Sequence, residues 1–186
     1  MKIDAFSTPI FILHNDNNDE IKSLVEEYYI ENKFKSTKPD KWNCQLFTTF
    51  GTTNFPTDCL EKLNDTFIEF QKELKKFGNM KFTMLWLNCY ESMNWQERHQ
   101  HSPGQWSGIY YAIFDSKEHS PTHFYHPNEN LLASNGIDSN ATLEPKIQEG
   151  DMIIFPSWLE HAAPLNKSSK LRATISFNFY FDNVPQ

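Results

Sequence analysis

The sequence lacks several features that would assign the protein to a specialised class. No apolar run approaches the roughly 20 residues that a membrane-spanning helix needs, so we expect no membrane contact. The apolar run near the start is short and broken by polar residues, which argues against a signal peptide. Cysteine is limited to 3 residues without a CxxC pair, a pattern typical of buried thiols in a reducing compartment. We therefore expect a cytoplasmic protein.

Positive charge is also scarce. The chain has 17 lysines and arginines against 24 aspartates and glutamates, which gives a formal net charge of −7. A chain of this sign repels phosphate polymers, so nucleic acid is disfavoured as a partner. Aromatic residues, in contrast, make up 15% of the sequence, and 186 residues can bury a core that needs no disulfide or structural metal. We expect a single domain over residues 1–186.

Helical periods occur only before Gly78. Apolar side chains at 21–29 recur with spacings of three and four, which predicts an amphipathic helix. The stretch from Thr57 to Phe77 has the same spacing, begins at possible capping residues and ends before a glycine. Residues 8–13 predict a short edge strand, because a proline near the start of the run has no N–H to donate to a central ladder. Residues 42–50 alternate loosely and predict another strand.

After Gly78 the pattern changes to alternating or continuous apolar runs, which predict strands at 82–90, 107–114, 152–155 and 171–181. A helical part over about 15–78 is thus followed by a β part over about 80–183, an α+β order that is mainly β and is typical of a sandwich or small barrel. The polar stretch 128–150 has no strong period, which indicates a mobile lid or an irregular binding loop.

The segment His99-Gln100-His101 holds two histidines at a spacing of two. In an extended chain both side chains leave the same face, with Cα atoms roughly 7 Å apart, so both imidazoles could reach one metal ion. The alternative is that two of the 7 histidines fall together in a polar loop. The pair alone leaves both interpretations open.

The last predicted strand alternates strictly, with apolar residues on one face and polar residues, including Arg172 and Thr174, on the other. Such a polar face often simply meets water. Arg172, however, is one of only two arginines and follows His161 by 11 residues. Its planar guanidinium can bind a carboxylate through two parallel hydrogen bonds, and the Thr174 hydroxyl can assist from the same face.

Four segments together, 99–101, 107–111, 150–161 and 172–178, resemble the 2-oxoglutarate- and iron(II)-dependent oxygenases related to prolyl hydroxylases. The resemblance covers about the last hundred residues. It implies a double-stranded β-helix, or jelly roll, with the N-terminal helices packed outside. It also implies an Fe(II) and 2-oxoglutarate-dependent dioxygenase that hydroxylates a small molecule, a peptide or a protein side chain. The rival interpretations are a cupin-type metal enzyme without 2-oxoglutarate and a non-catalytic jelly-roll binding module.

The resemblance also implies residue roles. His99 takes the proximal and His161 the distal metal-ligand position, while Arg172, helped by Thr174, takes that of the residue binding the far carboxylate of 2-oxoglutarate. Two weaker candidates for contacting the cosubstrate, which could equally be packing residues, are Tyr111 and Asn88.

The departure from the family pattern is His101, which stands where these oxygenases usually have an acidic metal ligand. A neutral imidazole there would leave bound iron one unit more positive. Three explanations are open. We favour His101 as a third ligand, but water could fill the position beside an unbound His101, or a carboxylate could come from Glu97 or Glu160.

The remaining histidines and several tryptophans have weaker signals. We expect His123 and His126 to be strand and turn residues at the rim of the site, and not metal ligands. We expect His14 and His119 to lie in surface loops. Three tryptophans fall close to the proposed mouth, where they could shape a pocket or lid or fill the core: Trp95, Trp106 and Trp158.

Overall fold

Two helices and ten strands form the part of the chain that the computed structural model describes, which is residues 8–52, 55–73, 78–101, 105–127 and 142–182. The helices are α1 (Asn18–Asn32) and α2 (Asp58–Glu73). The strands are β1 (Phe11–His14), β2 (Phe47–Thr48), β3 (Asn79–Tyr90), β4 (Gln96–His99), β5 (Trp106–Ile113), β6 (His123–Tyr125), β7 (Thr142–Leu143), β8 (Asp151–Pro156), β9 (His161–Ala163) and β10 (Arg172–Asp182).

The strands form two antiparallel sheets, a six-stranded one in the order β1-β8-β5-β10-β3-β2 and a four-stranded one in the order β4-β9-β6-β7. From β3 onwards the chain passes back and forth between the two sheets, with only β6 and β7 consecutive in one sheet. This winding is that of a jelly roll, so the predicted fold, mainly β with helices at the N-terminal side, is confirmed. β1 lies at a sheet edge, as its preceding proline predicts.

The helices cover the outer face of the larger sheet. The buried side chains Ile21 and Val25 of α1 and Leu63 and Phe70 of α2 belong to one core cluster with the apolar face of β10. Ring contacts tie α2 to that strand, since the centroid of Phe70 lies 6.0 Å from that of Phe179. The helical periods found in the sequence therefore mark the faces that pack on the sheet. Within the described residues neither helix is long and apolar enough to cross a membrane.

The opposite face of β10 points between the two sheets. Arg172, Thr174 and Ser176 are only 2%, 2% and 6% exposed, so this polar face is buried and does not meet bulk water. Aromatic and aliphatic side chains of β5 and β8 pack beside it in a second core cluster. Polar groups buried in this way need partners inside the protein or in a bound ligand.

Two expectations need correction or restriction. The strand expected at 42–50 is shorter in the structure and consists of β2 alone. After β2, the N–H of Phe50 donates to a side-chain hydroxyl, Oγ1 of Thr48 at 3.1 Å, and not to a neighbouring strand. The predicted helix end at 74–77 and most of the polar stretch, 128–141, lie outside the described residues. From 142 to 150 the chain forms β7 and the approach to β8.

Candidate functional site

Three histidines meet where the two sheets open. His99, the last residue of β4, pairs directly with His161, the first residue of β9. His101 follows two residues later, and its backbone N–H donates to the carbonyl oxygen of Ser157 at 2.8 Å. The ring centroids of His99 and His161 are 4.3 Å apart, and that of His101 lies 5.3 and 5.1 Å from them. One nitrogen from each ring lies within 4.8 Å of the other two.

Each of these imidazoles has an acceptor beside its Nδ1 atom. Nδ1 of His99 and of His161 lies 2.8 and 2.9 Å from the backbone carbonyl two residues earlier. Nδ1 of His101 lies 2.9 Å from Oδ1 of Asn178 and 2.8 Å from Oγ of Ser107. A ring that donates from Nδ1 keeps the lone pair on Nε2, which is the arrangement second-shell acceptors enforce on metal-binding histidines.

Burial keeps the three rings neutral. It lowers the pKa of His99 below its ordinary value, and burial together with repulsion from His99 lowers the pKa of His101 to about 4. The pKa of His161 lies well below its ordinary value, first because of burial and then because of the two neighbouring rings. Three neutral imidazole nitrogens suit a divalent first-row transition metal, so this donor set fits iron(II).

The two carboxylates considered from the sequence are held elsewhere. Oε1 of Glu97 accepts the backbone N–H of Asn43 at 3.2 Å, and Glu160 pairs with Arg98, whose Nε donates at 2.8 Å. Among the described residues, the group of ligand atoms close enough to hold a metal consists of the three histidines alone. Neither carboxylate therefore joins His101 in that group.

A cavity bordered by the histidines lies between the two sheets. Alternate side chains of β3 and β10 form much of its wall, namely Trp86, Asn88, Tyr90, Arg172, Thr174 and Ser176. The cavity wall holds no aspartate or glutamate within the described parts of the chain. Its one permanently charged side chain is thus the guanidinium of Arg172.

Arg172 is buried without an acidic partner. Nη2 donates to Oγ1 of Thr122 over a long 3.4 Å, the guanidinium carbon lies 5.0 Å from the ring centroid of Tyr90, and Nε has no hydrogen-bond partner. Burying a cation is costly unless an anion compensates it. A guanidinium in the wall of a cavity fits a carboxylate, and the three histidines border the same cavity.

Of the other predicted cosubstrate residues, Thr174 and Asn88 line this cavity, whereas Tyr111 does not line it and contacts the lining residue Thr122. Thr174 pairs with Asn88 on one side and Tyr111 on the other. The amide of Asn88 donates to Oγ of Ser176 at 3.4 Å, and its Oδ1 is buried without a partner. The hydroxyl of Tyr111 donates to Oγ1 of Thr122 at 2.9 Å, so it supports the threonine that holds Arg172. Burial raises the pKa of Tyr111.

Four residues at the site carried no assigned role in the sequence. Ser107 and Asn178 contact His101, Thr122 contacts Arg172, and Trp86 packs edge-on with its ring centroid 5.8 Å from that of His101. The alternation of β10 places Asn178 on the face of Arg172, and that of β3 places Trp86 on the face of Asn88. Nothing near Thr122 in the sequence signals its position.

The weaker histidine predictions are partly wrong. His119 is 6% exposed, because its Nδ1 accepts the N–H of Asp115 at 3.0 Å and its ring packs on Phe114. His14 is exposed but lies in β1, where its Nδ1 hydrogen-bonds with Asp151. His123 lies in the predicted strand, β6, and His126 directly follows it, but neither residue lines the cavity.

The three tryptophans expected near the mouth do not line the cavity. Trp106 packs on the helix side of the larger sheet, with its ring 5.9 Å from that of Phe11. Trp95 packs on the small cluster around Cys44, and Trp158 is 40% exposed. Core packing and surface placement explain these residues, and Trp86 is the tryptophan that borders the histidines.

Comparison with known proteins gives one family match. The family described as "Putative 2OG-Fe(II) oxygenase" matches residues 84–178, slightly more than half of the chain. The match contains all seven residues singled out from the sequence for the metal and the cosubstrate. None of the curated proteins matches the chain.

Several solved structures share the fold at low sequence identity. A prolyl-4-hydroxylase from Pseudomonas putida has a TM-score of 0.59 and 9% identity, over 94% of each chain. EctD from S. alaskensis, crystallised with 2-oxoglutarate and 5-hydroxyectoine, has a TM-score of 0.65 and 11% identity, over 94% of this chain and 72% of EctD. SnoN, a non-heme alpha ketoglutarate dependent epimerase from nogalamycin biosynthesis, has a TM-score of 0.61 and 14% identity, over 94% and 78%.

Proposed function

Because the chain belongs to the family of 2OG-Fe(II) oxygenases, we propose that it hydroxylates a small molecule, a peptide or a protein side chain. Fe(II) and 2-oxoglutarate are the cofactors of this family, as the sequence resemblance predicted. The proposed activity resides in a single domain of residues 1–186.

His99, His101 and His161 are the proposed ligands of the iron. Their converging nitrogens and lowered pKa values support this role, since a metal competes with protons for the same lone pairs. The acceptors beside the Nδ1 atoms orient each ring and keep the Nε2 lone pair free for the metal. These contacts favour His101 as the third metal ligand over water or a carboxylate in that position.

The observation that carries the proposal is that the guanidinium of Arg172 is buried without an aspartate or glutamate beside it among the described residues of the cavity wall. This cation has one long hydrogen bond, to Thr122, and two aromatic neighbours, Tyr90 and Tyr111. A bound dicarboxylate would supply the missing anion and satisfy the Nε donor. Thr122 holds the guanidinium and is itself held by Tyr111, while Thr174 and Asn88 border the space between Arg172 and the histidines.

The chain's own contribution to the reaction is binding, orientation and exclusion of water. Arg172 and its supporting hydroxyls fix one end of 2-oxoglutarate, and the buried walls of β3, β5 and β10 keep the cavity dry. Bound iron with 2-oxoglutarate supplies dioxygen activation, coupled to conversion of the cosubstrate to succinate and CO₂. The histidine set would hold the metal at the wall of this cavity.

Hydroxylation is proposed as the reaction type by analogy with the structural neighbours. One neighbour is a prolyl-4-hydroxylase, and another was crystallised with the hydroxylated compound 5-hydroxyectoine. The epimerase SnoN has the same fold, so the fold admits other outcomes. The product, measured directly, decides between them.

The test begins with anaerobic purification and loading with Fe(II). We expect one metal per chain, binding of 2-oxoglutarate and slow succinate formation when oxygen is admitted. Candidate amino acids, peptides and metabolites are then screened for faster succinate release, and the product is examined by mass spectrometry under ¹⁸O₂. One added ¹⁸O atom indicates hydroxylation, and loss of two hydrogens or an unchanged mass contradicts it.

Two histidine variants make the metal test specific. His161→Ala removes a buried ligand candidate and should abolish stoichiometric metal binding. His14→Ala removes an exposed histidine on β1, an edge strand of the six-stranded sheet, that does not belong to the group of three, and should leave metal content unchanged. Metal binding without any 2-oxoglutarate affinity would favour the cupin-type alternative. Equal metal content in the unmutated protein and His161→Ala would favour the non-catalytic alternative.

A further inference from the structure

Ser107, Ser157 and Asn178 form a hydrogen-bonded cluster next to Nδ1 of His101. Oδ1 of Asn178 lies 2.9 Å from Nδ1 of His101 and accepts the hydroxyl of Ser107 at 2.8 Å. Oγ of Ser107 is also 2.9 Å from Oγ of Ser157. Ser107 and Ser157 are 1% and 0% exposed, so bulk water cannot replace these bonds.

The strand register builds this cluster. Asn178 on β10 pairs directly with Ser107 on β5, and Ser157 follows the end of β8, the next strand of the sheet. The backbone carbonyl of Ser157 also accepts the N–H of His101, which brings the ring to the cluster. Three adjacent strands therefore contribute to the environment of one imidazole.

Proton counting places the His101 proton on Nδ1 in every arrangement that satisfies all of these groups. The amide oxygen of Asn178 can only accept, so it takes the proton of the Ser107 hydroxyl, and Nδ1–H of His101 donates to this oxygen at 2.9 Å or shares its proton with Oγ of Ser107 at 2.8 Å. The Ser157 hydroxyl then donates to Oγ of Ser107. If Ser107 donated to His101 instead, the ring would carry its proton on Nε2 and point an N–H at the other imidazoles. Asn178 would also lose both of its donors.

We propose that Asn178 is a positioning residue that makes His101 a metal ligand, with Ser107 and Ser157 holding the asparagine in place. This inference rests on the proposed function, since it assigns how the third ligand is prepared. An aspartate at position 101 would need no such selection, because either carboxylate oxygen can bind a metal. A histidine requires a partner that fixes both its ring orientation and its tautomer.

The first experiment measures the tautomer in metal-free protein. A two-bond ¹H–¹⁵N correlation spectrum, with the His101 signals identified by their loss in His101→Gln, should show the proton on Nδ1 in the unmutated chain. Asn178→Leu removes the acceptor and should shift the proton partly or fully to Nε2. Asn178→Asp keeps an acceptor oxygen and should retain the Nδ1 proton. A proton on Nε2 in the unmutated chain would overturn the proposal.

The second experiment measures Co(II) affinity by anaerobic titration, followed by the visible absorption of the bound ion. Asn178→Leu should weaken binding on the order of 10- to 100-fold, the usual effect of losing an outer partner of a ligand histidine. Asn178→Asp should restore binding to within a few-fold of the parent. Thr83→Val is the matched control, because the Thr83 hydroxyl contacts only the backbone oxygen of Asn178, at 3.2 Å.

The outcomes separate this inference from the proposed function. Failure of the unmutated protein to bind Co(II) contradicts the proposed function. Tight binding by the unmutated protein that is equally tight in Asn178→Leu contradicts the positioning role alone. If Asn178→Leu does not fold, Ser107→Ala replaces it, and an unchanged Co(II) affinity and tautomer in that variant overturn the proposal.

Discussion

Replacing Arg172 with methionine should change stability and cosubstrate affinity in opposite directions. The guanidinium is 2% exposed and has no acidic neighbour, so the folded, ligand-free protein bears the cost of burying an unpaired cation. The compensating contacts are all with neutral groups: the long hydrogen bond to Thr122 contributes about 1 kcal/mol, and the positions over the rings of Tyr90 and Tyr111 contribute about 0.5–2 kcal/mol each. Methionine has a similar length and carries no charge.

We therefore expect Arg172→Met to be at least as stable as the parent without ligand, with a gain on the order of 1–3 kcal/mol in the free energy of unfolding. For a chain of this size each kcal/mol raises the melting temperature by about 2–4 °C. The affinity for 2-oxoglutarate should fall by about 3–5 kcal/mol, more than 100-fold, because the far carboxylate would enter a buried site without its cation. Metal content should not change.

Urea denaturation of metal-free protein measures the first effect, and anaerobic calorimetric titration of Co(II)-loaded protein with 2-oxoglutarate measures the second. Arg98→Met is the control, since Arg98 is the only other arginine and forms a partly exposed ion pair with Glu160. Loss of this pair and of the contact between Arg98 and the Tyr125 ring, 4.2 Å from its centroid, should lower stability by about 1–2 kcal/mol and leave 2-oxoglutarate binding intact. An Arg172→Met protein that is less stable by over 1 kcal/mol yet binds 2-oxoglutarate normally would refute the reasoning.

Three further predictions concern the fold that carries the site. Gly108→Ala should lower the free energy of unfolding by about 1–3 kcal/mol or more, because the added Cβ would lie 2.0 Å from the buried ring of Phe177. Urea denaturation measures this loss, and an unchanged midpoint would contradict the prediction. Burial lowers the pKa of His119, so the unfolded chain takes up its proton first and stability should fall as the pH drops below about 6.5. His119→Gln should reduce that acid slope, and an identical slope would count against it. Burial raises the pKa of all three thiols, Cys44, Cys59 and Cys89. They should therefore react with a disulfide reagent at pH 7.5 only after the protein is denatured. Fast labelling of the native protein would disprove this prediction.

The β10 strand shows what the sequence can predict. Period-two alternation separates the face of Phe177, which packs against α2, from the face of Arg172, which lines the cavity. The spacing of His99 and His101 likewise predicts a shared space, and the structure places both rings beside His161. Local geometry is sufficient for these inferences, because neighbours along one strand determine the shared face.

Contacts between distant segments could not be predicted in this way. Thr122 reaches Arg172 only because the turn before β6 folds over the start of β10, 50 residues later in the chain. The same turn buries His119, whose Nε2 lies 3.2 Å from the carbonyl oxygen of Lys170, although its polar sequence surroundings predict exposure. The alternation of β10 predicts that Asn178 lies on the same face as Arg172, but its contact with His101 depends on strand register. Hydrophobic periodicity does not encode which strands become neighbours.

The neutral residue at position 101 changes the charge balance of the whole cavity. A divalent metal held by three neutral imidazoles, together with Arg172, would place three positive charges in a space whose described walls carry no acid. An aspartate in place of His101 would cancel one of them, and 2-oxoglutarate brings two negative charges. In a low-dielectric cavity the metal and the dianion therefore stabilise each other strongly, and each must raise the other's affinity by the same factor. With His101 as a ligand, the residue at this position would therefore bear on the affinity for 2-oxoglutarate as well as on the metal.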